Sequence, residues 1–174
     1  MIAVVVLLVI LVLLVVFVIT QYNSLVRLRN ETQNAWAQVD VVLRRRYDLV
    51  PNLVETVKGY AAHERETLEA VIQARSGAID ASAVADQADS ENMLSGALKR
   101  LFALSEAYPA LKADSNFMEL QKELVQTEGL IGYARGSYNE SVLAFNNKVQ
   151  VFPTNVVAGM FNFVAGDFFE IGDE

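Results

Sequence analysis

Residues 2–19, IAVVVLLVILVLLVVFVI, are apolar at every position and contain no glycine, proline or charge. At 1.5 Å per residue such a helix reaches about 27 Å, close to the ~30 Å hydrocarbon core of a bilayer. The pattern predicts a transmembrane helix over residues 1–21. A cleavable signal peptide would need a positive n-region and a small-residue cleavage site, whereas Met1 precedes the run and TQYNSL follows it, so the anchor is expected to be retained.

Beyond the anchor the apolar positions recur at helical intervals. Leu25, Leu28, Trp36, Val39 and Leu43 form one stripe, and Leu53, Val57, Tyr60 and Ala61 form another. Between them lie Arg44, Arg45, Arg46, Asp48 and Pro51. Cations suit a helix C-terminus, aspartate suits an N-cap, and proline is tolerated in a first turn. The reading is therefore a helix-turn-helix corner over residues 44–51, with the second helix running on to Arg75. One long helix kinked at Pro51 is the competing reading, because the stripe passes through the proline almost in phase.

Residues 77–89, GAIDASAVADQAD, read as a small, acidic surface connection. Ser90 is a candidate N-cap for a third helix with Met93 or Leu94, Ala97, Leu98, Leu101, Phe102 and Leu104, ending before Pro109. Asn116 with Glu119 is a candidate capping box for a long fourth helix. Its stripe is Phe117, Leu120, Leu124, Ile131, Tyr138, Val142, Phe145 and Val149. Gly129, Gly132 and Gly136 interrupt this helix, and each is expected where a neighbouring helix comes close. Phe152 and Pro153 should end it. The expected architecture is all-α: a single transmembrane helix, then an antiparallel up-and-down four-helix bundle over residues 22–151, then a Phe-rich tail over 152–174.

Charge narrows the partners. Residues 22–62 are net +2, so the remainder carries −9 to reach the total of −7. A strongly acidic distal body argues against nucleic acid as a partner. Arg27 and Arg29 follow the span closely while no side-chain charge precedes it, and the positive-inside bias then places the body in the cytoplasm.

The residues offer no recognisable catalytic set. His63 is the sole histidine and cysteine is absent, so neither a histidine dyad nor a thiolate or multi-histidine metal site can form within one chain. The expectation is a non-enzymatic protein without cofactor or metal. Arg44, Arg45 and Arg46 could bind an acidic helix or a phosphate. The simpler reading is charge placed for the helix dipole, since consecutive residues on a helix point in different directions. The tail carries Phe161, Phe163, Phe168 and Phe169, which could meet the membrane interface or another subunit; alternatively Phe161 and Phe163 cap the open end of the bundle core. These four, the three arginines and the three glycines are the candidate partner or oligomer surface.

The run RRRYDLVPNLVETVKGYAAHE, preceded by AWAQVDVVL, resembles the signature of the LemA family of bacterial membrane proteins. Shorter matches are Tyr22 with Asn23, Tyr138 with Asn139, Phe145 with Asn146 and Asn147, and the FPTN run from Phe152 to Asn155. The resemblance spans nearly the whole chain. It implies a membrane-anchored antiparallel four-helix bundle in the inner membrane of a bacterium, with no catalytic residues to carry over. The function expected is a membrane-anchored scaffold or adaptor whose partners are the lipid bilayer, itself as a homo-oligomer, and other membrane proteins. The runner-up is a membrane-shaping or membrane-biogenesis protein acting on lipid through the anchor and the tail.

The apolar run makes the first prediction: the full chain fractionates with membranes and resists alkaline extraction, while a chain beginning at Gln21 is soluble and mostly helical. Release of the full chain by alkali contradicts the span.

Overall fold

A computed structural model describes residues 1–170, so the last four residues of the expected 152–174 tail lie outside the described residues. Among the described residues six helices follow one another: α1 (Ile2–Tyr60), α2 (Arg65–Asp80), α3 (Val84–Ala107), the single turn α4 (Pro109–Lys112), α5 (Ser115–Gln150) and α6 (Thr154–Met160). The fold is all-α, and no strand occurs among the described residues.

The first correction concerns the corner. Residues 44–51 are helical throughout, Asp48 caps nothing, and α1 passes through Pro51. Proline lacks the N–H that would bond to the carbonyl four residues earlier, which here belongs to Tyr47. That carbonyl is not left empty: Arg75 Nε, reaching across from α2, donates to Tyr47 O at 2.7 Å. The long-helix alternative holds because a side chain from a neighbouring helix supplies what the proline withholds.

The turn comes instead at residues 61–64, where Ala61 leaves helical geometry at φ −130° and Glu64 N donates to Ala61 O. Two tyrosines fasten this end of the body. Tyr60 OH donates to Asp114 Oδ2 at 2.8 Å, and Tyr108 OH donates to Glu64 Oε1 at 2.9 Å.

The second correction concerns residues 77–89. They are not a surface connection: α2 continues to Asp80, only residues 81–83 link the helices, and α3 begins at Val84 with Ser90 inside it. The small side chains that suggested a loop are interfacial, with Ala74, Ala78 and Ala88 buried where α2 and α3 pack. Small residues let backbones approach, and Gln87 Nε2 exploits this by donating to Ala78 O at 2.9 Å. The third helix otherwise follows its stripe, with Leu94 inside and Met93 outside.

At the start of α5 the cap is Asp114, whose Oδ1 accepts from Phe117 N at 2.9 Å, and not Asn116. Its carboxyl is held below the ordinary aspartate range, chiefly by that backbone N–H and further by Tyr60. Contacts between α1 and α5 pair early residues of one with late residues of the other. Trp36 meets Tyr138, Tyr60 meets Asp114, the N-cap of α5, and Leu25 lies in one apolar cluster with Phe145. Two cores result. The larger joins α1 to α5 along the body, and the smaller gathers Leu25, Phe145, Val157, Ala158 and Phe163 where the apolar run ends.

Pro51 and Arg75 make a coupled pair. Arg75→Met should destabilise the full chain in detergent by about 1–3 kcal/mol, the cost of a buried carbonyl without a donor. Pro51→Ala added to it should recover most of that loss by restoring the helical bond. Urea unfolding of the two variants checks this, and a Pro51→Ala change that rescues nothing contradicts it.

Candidate functional site

Polar side chains from four helices converge behind the proline. Arg46, on the inner face of α1, is only 4 % exposed. Its Nη1 donates to Glu91 Oε2 at 2.9 Å, and its Nη2 donates to Ser95 Oγ at 2.7 Å and lies 3.0 Å from Glu128 Oε2. Glu91 and Ser95 belong to α3 and Glu128 to α5. The adjacent Tyr47 donates its hydroxyl to Glu91 Oε1, and Gln87 Nε2 donates to that same hydroxyl at 2.9 Å. With Arg75 on the Tyr47 carbonyl, α1, α2, α3 and α5 are tied at one level.

Burial and charge oppose each other here. Glu91 is fully buried, and desolvation pushes its carboxyl up, against the hydrogen bond from Tyr47 and the charge of Arg46. Burial likewise pushes the Tyr47 hydroxyl well above its ordinary range, helped by its bond to Glu91. Among the described residues no buried side-chain polar atom lacks a hydrogen-bond partner. The network is interior except at Glu128, whose side chain is 52 % exposed. Its chemical effect is to fix the register of four helices, because an unpaired buried guanidinium or carboxylate would cost several kcal/mol.

A second constellation holds the tail. Asn139 and Asn146 lie seven residues apart on one side of α5, and each pairs its side-chain amide with one residue of an extended segment. Asn146 Nδ2 donates to Gly166 O at 2.9 Å, and Gly166 N donates to Asn146 Oδ1 at 2.8 Å. Asn139 Nδ2 donates to Phe169 O at 3.1 Å, and Phe169 N donates to Asn139 Oδ1 at 2.9 Å. Tyr138 OH donates to Asp167 O at 2.9 Å, and burial, with Asp167 adding, raises its pKa. Phe169 is thereby delivered, fully buried, edge-on to Trp36 at 5.3 Å. Burying a phenylalanine contributes about 1.5–3 kcal/mol, so residues 163–169 belong to the body and do not trail from it.

The ten candidate surface residues separate. Arg44 is exposed and paired with Asp40 at 2.9 Å, Arg45 is exposed, and Arg46 is interior. The dipole reading of the triplet fails because no helix ends there. Gly129, Gly132 and Gly136 face outward, and a Cβ on any of them would meet nothing within 4 Å. The expected close approach of a neighbouring helix within the chain is therefore absent. Phe163 is buried against Tyr22 and Phe145, with the Arg29 guanidinium 5.2 Å from its ring. Phe161 packs tilted against Tyr22 at 4.8 Å yet stays exposed, and Phe168 faces outward. Phe163 thus caps the smaller core, while Phe161, expected beside it in that role, stays exposed. Phe169 belongs to the larger core.

Glu91, Gln87, Tyr47 and Arg75 were not anticipated. Glu91 sits in a polar stretch without any apolar rhythm to mark it as interior. The asparagines were visible only as short matches, at a seven-residue spacing that now has a cause. No group of three or more acidic, histidine or cysteine side chains is placed to hold a metal among the described residues.

These features define a class first: an all-α protein in which one helix long and apolar enough to cross a membrane continues into a helical body. The chain belongs to the LemA family, whose sequence model matches residues 35–174. It is 31% identical over 140 residues to Protein LemA of Metamycoplasma hominis, covering 78% of this chain and 63% of that protein. It is 25% identical over 179 residues to Magnetosome protein MamQ 2 of Paramagnetospirillum magneticum, covering 88% of this chain and 66% of that one. Magnetosome protein MamQ of Magnetospirillum gryphiswaldense is 24% identical over 178 residues, with 87% and 65% covered. The chain spans just under two thirds of the length of these relatives.

A double-mutant cycle tests the network. Arg46→Met and Glu91→Leu should each cost about 3–5 kcal/mol, since each strands a buried charge. The double variant should cost much less than their sum, and strictly additive losses by urea unfolding contradict the pairing.

Proposed function

We propose that the protein is a single-span, membrane-anchored helical scaffold or adaptor, non-enzymatic and self-associating, with an antiparallel four-helix body. The observation that carries this reading is the outer face of α5. Met118, Val125, Tyr133 and Leu143 are exposed on the side opposite the core stripe, Tyr133 at 79 %, with the three bare glycines between them. Met118, Val125 and Gly132 recur at seven-residue steps, as do Gly129, Gly136 and Leu143, which is the spacing of a seam between helices. Glycine in a helix interior weakens it by ~1 kcal/mol relative to alanine, an expense that a second backbone lying close would offset. The buried charge network, which ties four helices at one level, supports a rigid body.

The membrane is the inner membrane of a bacterium, and the body lies on its cytoplasmic side by the positive-inside bias. Cyclic symmetry about the membrane normal follows, because every copy has its anchor in the same bilayer. A membrane-shaping role is the second reading, favoured by the apolar exposure of α6, whose Val156 and Met160 face outward.

The expected outcome is that the detergent-solubilised full chain has the mass of an oligomer and that Tyr133→Glu with Leu143→Glu reduces it to a monomer of unchanged helicity. A wild-type chain that is monomeric across a wide concentration range rejects self-association. Crosslinking in native membranes, expected to give self and membrane-protein partners, tests the adaptor role.

A further inference from the structure

The smaller core has an unusual position. Along residues 2–19 every side chain is exposed except those of Phe17 and Val18. These two are partly covered by the cluster of Phe145, Val157, Ala158 and Phe163. Immediately beyond, Thr154 Oγ1 donates to Gln21 Oε1 at 3.2 Å, tying the first residue of α6 to the first polar residues after the run. The corner between α5 and α6 therefore overlaps the last turn of the apolar run, reaching about 5 Å along it at the helical rise.

What this corner exposes is apolar. Phe152 is 77 % exposed, and Val151, Val156, Met160, Phe161 and Val164 are exposed with it. Within α6, Thr154, Val157 and Ala158 turn inward, while Val156 and Met160 lie on the opposite face. From Val149 to Gly166 the sequence contains no charged residue, and Lys148, Arg27 and Arg29 lie on the side away from the span. An apolar surface with uncharged polar groups at its edge, followed by cations, matches the order of acyl boundary, interface and headgroup.

We propose that Phe152 and the outer face of α6 form a second membrane contact, a collar seated in the acyl and headgroup boundary beside the span. The occupant is the lipid bilayer. A second copy of the chain is disfavoured as occupant because the patch begins at side chains of the span itself, at a depth where lipid surrounds the helix. The proposal rests on reading α1 as membrane-spanning. Its consequence is a two-point attachment: the span sets depth, and the collar sets the azimuth and tilt of the body.

The absence of cysteine makes the test direct. Single cysteines replacing Phe152, Val156 or Met160 in the full chain, labelled with an environment-sensitive fluorophore, are reconstituted in phosphatidylcholine and phosphatidylglycerol vesicles. Lipid carrying a spin label near the headgroup should quench each about twofold or more, as expected for a face set ~5–10 Å into the boundary. Glu66→Cys, exposed on α2 away from the α5 seam and the collar, should be unaffected, and Leu11→Cys should be quenched by lipid labelled deep in the acyl chain. If Leu11→Cys is not quenched, the span itself is wrong and the collar falls with it. If Leu11→Cys is quenched while the three collar positions match Glu66→Cys, the collar alone is overturned. Collar labels protected from a water-soluble quencher yet untouched by the labelled lipid assign the patch to a second copy and also overturn it.

Discussion

A guanidinium removed from water must be surrounded by acceptors, and that requirement at Arg46 organises the body. Glu91 and Ser95 can meet it only if α3 runs beside α1 in one register, and Glu128 only if α5 does so as well. The next residue, Tyr47, engages α2 and α3 through its hydroxyl and α2 again through its carbonyl. Apolar stripes alone allow helices to slide by a turn at modest cost. A buried charge with several directional partners does not, because a displaced partner leaves the other group desolvated and unpaired.

The same logic explains the proline. Pro51 frees one carbonyl, and a freed carbonyl inside a body needs a donor. Arg75 supplies it with a charged group, a stronger hydrogen bond than the N–H it replaces. The proline thus becomes a docking point for α2 where in isolation it would read as a break.

Much of this was legible from periodicity and some was not, for identifiable reasons. The span, the interior positions of α5 and the end of α3 before Pro109 follow from apolar spacing and from proline sterics, which are local. The corner over residues 44–51 was misplaced because each local sign, cations then aspartate then proline, is equally compatible with a helix whose missing bond is supplied from α2. That compensation is tertiary. Residues 77–89 were misread because small side chains serve both loops and close helix contacts, and only the partner helix decides. The charge network was invisible for a related reason: Arg46 looks like its two neighbours in sequence, yet helical geometry sends Arg44 and Arg45 to solvent and Arg46 inward. The membership of the family was legible, and the tail was not, since Asn139 and Asn146 reveal their use only when the backbone of Gly166 and Phe169 lies against them.

Continuity of α1 then has a mechanical consequence. Its 59 residues form one rod about 88 Å long, shared by the apolar run and the body. With no loop between them, the span cannot tilt without carrying Arg46 and everything bonded to it. The chain closes this rod from the other end as well: α5 returns along it, α6 lies beside its last apolar turn, and the extended tail goes back along Asn146 and Asn139 of α5 to place Phe169 against Trp36. A force applied at the bilayer is therefore met by two interlocked cores and not by a flexible tether. Orientation is thus transmitted along the length of α1, from the apolar run through Arg46 to the helices bonded to it.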